Sequence, residues 1–401
     1  MDVSIVFTII SAVIAIGFFA NYFFKKTKIP DILWLIIFGL LIGPGLGLID
    51  PNIMFQYFPL FSALALLLIL FEGGSNINIY KLIRESFNVF LLTFSGFIFS
   101  TIFVSVFAHF IMDLSWPLSL LLGSIIGGTS STIVIPMLEN VRKVRKVKEE
   151  MTLVLKMESI LTDPFVIITS LVILQAIVLN SISINTTQLI ITKIMSLLSI
   201  SIVFGFVSGV VWAIVWRKFV NYKYHYMLTI GFLFFIYVLS EFLGGNGAIA
   251  SFMIGLVLGN ISQVRKMLNI NQPLVGLNKE TREFNSYITF FVRTFFFAFM
   301  GIMISLSKLN LILYGLIISF ILLIARYIVV QIVTSRMNLT KREKLLMTFL
   351  YPRGLAAAVL ASIPSIQYNL PGTEEFPEIV FTVIVVTVLI STVGVGLIEK
   401  K

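Results

Sequence analysis

Met157-Glu158-Ser159-Ile160-Leu161-Thr162-Asp163-Pro164 is the stretch on which the reading of the whole chain turns. It lies inside an apolar run from Met151 to Leu179, and Asp163 stands roughly 12 residues into that run, ~18 Å deep at ~1.5 Å of rise per residue. That depth is near the middle of a bilayer. A carboxylate there costs on the order of 3 kcal/mol on insertion scales, so an intramembrane acid points to function. Pro164 adds to the signal, because proline deletes one backbone hydrogen bond and disfavours helical geometry at Asp163, which frees a carbonyl beside the acid. Lys156, Ser159 and Asp163 share one helical face, and Glu158 is rotated off it. A buried acid paired only for helix packing would not need the proline, the hydroxyl and a second acid at one depth.

The surrounding composition agrees. The chain has 401 residues, of which 58% are apolar and 12% charged, and its mean hydropathy of +1.03 excludes a soluble globule. An all-α polytopic membrane protein is the fold class this composition predicts. The formal charge of +10 does not imply a nucleic-acid partner, since the basic residues are scattered in short loops between apolar runs, a pattern that sets membrane topology. There is no cysteine, which removes disulfides and thiolate metal sites. The first apolar run follows Met1-Asp2 without a basic leader or small-residue cleavage site and reads as a retained helix.

Runs long enough to span occur at 3–24, 30–48, 54–72, 86–112, 116–138, 151–179, 188–216, 223–243, 246–262, 280–306, 308–334, 342–368 and 375–398, which predicts thirteen transmembrane helices. Loops after odd-numbered spans carry most of the 29 basic residues: Lys25, Lys26, Lys28; Lys81, Arg84; Arg142, Lys143, Arg145, Lys146, Lys148; Arg217, Lys218, Lys223; Arg265, Lys266, Lys279, Arg282; Arg336, Lys341, Arg342, Lys344; and the tail Lys400, Lys401. Even-numbered loops hold only Lys308. The expected orientation is therefore a cytoplasmic C-terminus and an outside N-terminus. Lys156, Lys193, Arg293, Arg326 and Arg353 fall within apolar runs; Lys193 is near enough to an end to snorkel, and the other four need partners or water.

An internal repeat is visible. The second span contains Gly39-Leu-Leu-Ile-Gly43 and the ninth Gly255-Leu-Val-Leu-Gly259, each followed by a span with a glycine-marked end, at Gly73-Gly74 and Gly301. The offset of seven spans is odd, so the second copy is expected to be inverted, as in transporters. The fifth span holds Gly127-Gly128-Thr129-Ser130-Ser131-Thr132 at its centre and the twelfth holds Pro352-Arg353-Gly354, so both are expected to be discontinuous. Backbone exposed at such breaks is tolerated only when buried in protein or lining a cavity. Carbonyls, hydroxyls and a carboxylate make a hard-oxygen set suited to a small cation. Of the intramembrane charges, Glu158 is expected to pair with Arg326 or Arg353, leaving Asp163 to bind and release ions.

These residues together are similar to the sodium/proton antiporters of the NhaP type, within the monovalent cation/proton antiporter superfamily. The resemblance covers nearly the whole chain, including Lys28-Ile-Pro-Asp31 with Gly39 to Pro44, Phe71-Glu72-Gly-Gly74, Glu158 to Pro164, Gly247 to Asn260, Arg293 to Gly301 and Pro352-Arg353-Gly354. Glu-Ser-x-x-x-Asp-Pro combined with Pro-Arg-Gly is its most specific part. It implies a dimerisation domain and a mobile core in which the fifth and twelfth spans are broken and cross. On this chain that gives spans 1–3 (1–85) and 8–10 (223–306) to dimerisation, 86–179 and 308–398 to the core, and 188–216 to a linking helix. The resemblance further implies a cation/proton site at Asp163, Ser159 and Thr129, where sodium would sit, with Thr162, Ser130 and Glu72 contributing. It makes Glu158 and Arg326 a structural ion pair and assigns Thr132, Arg353 and Gly354 to the discontinuous helices. Two departures stand out. Relatives usually read Thr-Asp-Pro at the first break, where this chain has Thr129-Ser130-Ser131, and Asn-Asp where it has Thr162-Asp163. Hydroxyls at the break also occur in potassium/proton branches.

The expected function is secondary active antiport, not enzymatic catalysis: a monovalent cation, sodium in preference to potassium or lithium, is exchanged for protons across the cytoplasmic membrane. The expected assembly is a homodimer without a cofactor, and the exchange is expected to be electroneutral because Asp163 is the main titrating carrier. A gated cation channel or an organic-anion symporter are the alternatives of other classes; a channel calls for a continuous hydroxyl-lined pore and a symporter for larger polar pockets. No regulatory domain is expected after the thirteenth span.

Overall fold

The computed structural model describes all residues except 1, 2, 28, 29, 50, 81–85, 145, 146, 182–186, 220, 221, 223, 271–273, 304–307 and 401. Lys28, Lys81, Arg84, Arg145, Lys146, Lys223 and Lys401 of the charge-topology reading lie outside the described residues. The described elements are helical, without a strand. They are α1 Val3–Thr27, α2 Asp31–Leu40, α3 Pro51–Asn76, α4 Ser86–Ile111, α5 Trp116–Ile125, α6 Ser131–Val144, α7 Glu149–Ser181, α8 Thr187–Trp216, α9 His225–Phe242, α10 Gly247–Gly259, α11 Ile261–Met267, α12 Lys279–Met303, α13 Leu309–Val333, α14 Lys341–Phe349, α15 Leu355–Ile366 and α16 Phe376–Lys400. Among the described residues, seven helices are long and apolar enough to cross a membrane, or eight if α10 and α11 count as one bent span.

Local chemistry explains where helices stop. α2 continues as a single π turn, Leu41–Gly45, because Pro44 has no N–H to give the Leu40 carbonyl and crowds it. The fifth apolar run is interrupted between Ile125 and Ser131, and the twelfth between Phe349 and Leu355. In the first case Gly127 and Gly128 weaken the helix; in the second Pro352 and Gly354 do. The ninth run does not continue to residue 262 as one helix: the chain turns by 88° between α10 and α11, after Gly259. Pro164, by contrast, does not interrupt α7, so Asp163 is helical. A proline inside a helix removes one bond, and the rest of a 33-residue helix holds its course.

The chain divides into two compact units. The first comprises residues 1–62, 87–162 and 291–401. Within it, Gly39 and Gly43 of α2 bring their backbone against Ala298, Gly301 and Ile302 of α12. Asp31 at the start of α2 accepts from Arg293 of α12 at 2.7 Å, which gives one of the intramembrane cations its counter-ion. Gly315 of α13 receives Thr382 of α16, and Gly394 of α16 receives the ring of Phe349. The second unit comprises residues 63–86 and 163–290. There Gly205 and Gly209 of α8 pack on Ala250, Ile254 and Val257 of α10, while Gly255 and Gly259 of α10 pack on Phe71 and Ser75 of α3. Asn246 caps α10 by accepting from the Ala248 and Ile249 amides at 3.1 Å, and Trp212 stacks on Phe232 at 4.0 Å. Large apolar side chains such as Phe7, Phe18, Phe235 and Leu397 are exposed, whereas Glu158, Arg326 and Arg353 are buried. That inversion suits a bilayer as solvent.

Candidate ion-exchange site

α7 carries two neighbouring stripes. Glu158 and Thr162, four residues apart, face the first helix break, and both are buried. Thr162 ties the break to the helix: its hydroxyl donates to the Thr129 carbonyl at 2.9 Å and accepts from the Thr129 amide at 3.3 Å, and it lies 3.2 Å from the Thr129 hydroxyl. Thr129 Oγ1 donates in turn to Glu158 Oε1 at 3.5 Å. Asparagine is usual at position 162 in the resemblance, and here a threonine makes the connection with one hydroxyl.

The Glu158 carboxylate is held by Arg326 from α13 through two parallel bonds, 2.6 Å from Nη1 to Oε1 and 2.8 Å from Nη2 to Oε2. The two side chains are 2% and 4% exposed, so the pair is desolvated on both sides. Arg326 Nε donates to the Met347 carbonyl at 3.0 Å. That carbonyl sits in the last turn of α14; the amide four residues on, at Tyr351, bonds Phe349 instead. It is one of the orphans that every helix end leaves. Gly96 of α4 passes beside the pair, where an added Cβ would lie 3.7 Å from Arg326 Nη1 and 4.0 Å from Glu158 Oε1.

Arg353 does the same service at the other break. Its Nη1 donates to the Gly128 carbonyl, its Nη2 to Ser100 Oγ at 3.4 Å, and its own amide to Thr387 Oγ1 at 3.1 Å. Each arginine thus satisfies a carbonyl left over where a helix is interrupted. The breaks also touch: the Ser130 amide donates to the Pro352 carbonyl at 2.9 Å, and Ser130 Oγ fills the space beside Gly354. Ser130 Oγ pairs with Thr132 Oγ1 at 2.9 Å. Gly354 is needed there because a Cβ would come 2.6 Å from the Ser130 Cβ.

Glu158, Thr162, Thr129, Ser130, Thr132, Arg326, Arg353 and Gly354 are therefore joined in one network. Ser159 is fully buried on α7 and donates to the Lys156 carbonyl at 3.0 Å, leaving its lone pairs as the available chemistry. Asp163 follows one turn later, half-buried, and belongs with Glu72, also half-buried, to the second unit. Lys156 is exposed. Ser100, Gly96, Met347 and Thr387 were not singled out by sequence; a hydroxyl or glycine in an apolar run has no local mark that distinguishes a network member from a packing residue. Among the described residues no group of three His, Asp or Glu is close enough to hold a metal.

Helices interrupted in pairs, with buried arginines and a buried acid at the interruptions, define a polytopic membrane transporter of the broken-helix class. A family model described as "Sodium/hydrogen exchanger, transmembrane" matches residues 9–400, and the chain belongs to that family, one of antiporters and not of enzymes. The chain is similar to the Na(+)/H(+) antiporter ApNhaP of Aphanothece halophytica, with 28% identity over 391 residues, 94% of this chain and 70% of that protein. It is also similar to the K(+)/H(+) antiporter NhaP2 of Shewanella sp. (strain ANA-3), with 26% identity over 374 residues, 91% of this chain but only 61% of that protein. Its fold matches the solved structure of the sodium proton antiporter MjNhaP1 from Methanocaldococcus jannaschii at pH 8, with a TM-score of 0.79 at 24% identity, covering 100% of this chain and 99% of the other.

Proposed function

We propose that this chain exchanges a monovalent cation, sodium in preference to potassium or lithium, for protons by alternating access around Asp163. The observation that carries the reading is the bidentate Glu158–Arg326 pair. It commits the charge of one acid of the motif to a fixed partner, and the exchangeable role falls to the other. A carboxylate that binds either a cation or a proton, with hydroxyls and carbonyls of Ser159, Thr129, Thr162 and Ser130 to complete a hard-oxygen shell, is sufficient for antiport. Glu72 is a second acid that contributes if it loads with Asp163. With one titrating carboxylate each half-cycle carries the same charge, so the exchange is electroneutral.

The architecture we assign is thirteen spans in two inverted repeats, with N-terminus outside, C-terminus cytoplasmic, residence in the cytoplasmic membrane and a homodimeric state. Spans 1–3 and 8–10 form the dimerisation part, the linking helix is 188–216, and the core consists of 86–179 and 308–398, with its two broken helices crossing. Reciprocal packing supports the repeat: the second span lays Gly39 and Gly43 on the tenth, and the ninth lays Gly255 and Gly259 on the third. An operation exchanging spans 2 with 9 and 3 with 10 turns one contact into the other. The contact between Ser130 and Pro352 supports the same relation for spans 5 and 12.

Potassium/proton exchange is the second reading, favoured by Ser130 and Ser131 in place of an acid and by the similarity to the K(+)/H(+) antiporter NhaP2 of Shewanella. Proteoliposomes carrying an internal pH dye test both. Saturable proton flux driven in turn by sodium, potassium and lithium is expected, with Asp163→Asn abolishing it while the variant stays folded and monodisperse. Exchange surviving in the Asn variant refutes the assignment, and flux that does not saturate points to a channel.

A further inference from the structure

Of the four cations set inside apolar runs, three have partners: Arg293 has Asp31, Arg326 has Glu158, and Arg353 has the Gly128 carbonyl and Ser100. Lys156 is the fourth. Among the described residues its ammonium makes no ion pair and no hydrogen bond. A cation without a partner at that depth has to reach water. Burial along α7 shows where the water is. From Met151 to Ile160, Lys156 is the one exposed residue. Its neighbours a turn away on the same face are closed, with Thr152, Ser159 and Ile160 at 7%, 0% and 5% exposure. A helix that faces lipid exposes a whole stripe instead, as α13 does with Leu313, Ile317, Phe320, Ile324 and Tyr327 at successive turns. The opening at Lys156 is local, and an unpaired ammonium points into it, so it is an aqueous crevice.

Ser159 and Asp163 follow Lys156 on this face of one unbroken helix. The rise from position 156 to 163 is ~10 Å, and a lysine leans toward the N-terminus of its own helix, which sets its ammonium ~12 Å from the Asp163 carboxylate. Over that distance, with an effective dielectric constant between about 80 and about 20, one unit charge changes the affinity for a monovalent cation by about two- to tenfold. For a divalent ion the repulsive energy doubles and the factor is squared.

We propose that Lys156 is an electrostatic filter for the exchange site: a fixed ammonium, in water on the Asp163 face of α7, that weakens binding of the incoming cation without touching it and discriminates against divalent ions. The filter rests on the reading of Asp163 as the exchanging acid. Glu158 and Arg326 largely cancel as a pair, while Glu72, in the same unit as Asp163, and Arg353 contribute the same field whatever stands at position 156. A change of charge at that position alone therefore isolates the filter.

The chain has no cysteine, so Lys156→Cys carries the single thiol of the protein, and charge can be installed there after folding. The full-length variant in proteoliposomes is labelled with methanethiosulfonates that attach an ammonium, a neutral group or a sulfonate. Exchange is then measured at low ionic strength and one alkaline pH, with sodium and with potassium, total salt being held constant with choline chloride. The ammonium adduct should restore the KM of the unaltered chain. The neutral adduct should lower KM about two- to tenfold and the sulfonate adduct about as much again, at an unchanged maximal rate, and inhibition by calcium should strengthen by more than either. At ~1 M choline chloride, where the Debye length is ~3 Å, the three adducts should converge. A lysine with only a structural role gives no such order by charge. A flat KM series, or a thiol that none of the charged reagents reaches, overturns the filter while Asp163→Asn remains inactive; exchange that survives in Asp163→Asn overturns the reading of the site and the filter with it.

Discussion

Neutralising Glu158 is the perturbation with the most calculable consequence. In the folded protein its carboxylate takes two bonds from Arg326, at 2.6 and 2.8 Å, with both side chains nearly sealed from solvent. Glu158→Gln removes the counter-charge and leaves the guanidinium with neutral acceptors alone, the amide oxygen of the new side chain and the Met347 carbonyl at 3.0 Å. Stranding a buried charge in this way costs about 3 to 5 kcal/mol. Arg326→Met strands the acid instead, with Thr129 Oγ1 at 3.5 Å as its remaining contact in the network, and costs a similar amount. The double variant strands neither charge. It forfeits the pair and leaves the Met347 carbonyl without its donor, a penalty of about 1 to 3 kcal/mol. The double loss should therefore fall several kcal/mol short of the sum of the two single losses. Thermal unfolding of the four proteins in one detergent, followed by intrinsic fluorescence, measures the cycle. Losses that simply add would refute the reasoning, because residues that do not interact give additive effects.

Other outcomes follow from the same network. Gly354→Ala should lower stability and exchange together, since the new methyl meets Ser130, and adding Ser130→Gly should restore part of both; absence of rescue in the exchange assay would show that the contact is not the cause. Ser130→Asp should strengthen cation binding, because added negative charge favours the bound cation over the empty ionised site; an unchanged apparent affinity at fixed pH places this residue outside the site. Sodium/proton exchange should be indifferent to a potassium/valinomycin diffusion potential, after controls that potassium is not itself carried. At ~2.3 kcal/mol per charge per 100 mV, a several-fold response to the sign of the potential would mean a second titrating group, with Glu72 the first to mutate.

Hydrophobic run length is a local property, set by the thickness of hydrocarbon a helix has to cross, and so most helices were legible residue by residue from the sequence. The same holds for the two interruptions, because glycine and proline weaken a helix wherever it is placed: the gaps at Ile125 to Ser131 and Phe349 to Leu355 lie where Gly127-Gly128 and Pro352-Arg353-Gly354 stand. Local rules failed where the outcome depended on more than the residue itself. Pro164 predicts a disturbance at Asp163, yet α7 runs through it, since one missing bond is outweighed by the many turns on either side. The smooth ninth run turns by 88° at its end, where Asn260 is drawn off to bond the Ile77 carbonyl and the Ile79 amide in a distant part of the chain. The cost of an unpaired charge in hydrocarbon says that Glu158 requires a cation, but by itself it leaves Arg326 and Arg353 as equals, and it is the family resemblance that selects Arg326. Only the tertiary structure shows the physical reason: one guanidinium reaches the carboxylate across 168 positions and the other reaches the Gly128 carbonyl across 225, and distances of that kind are decided by how helices pack, which no local pattern encodes.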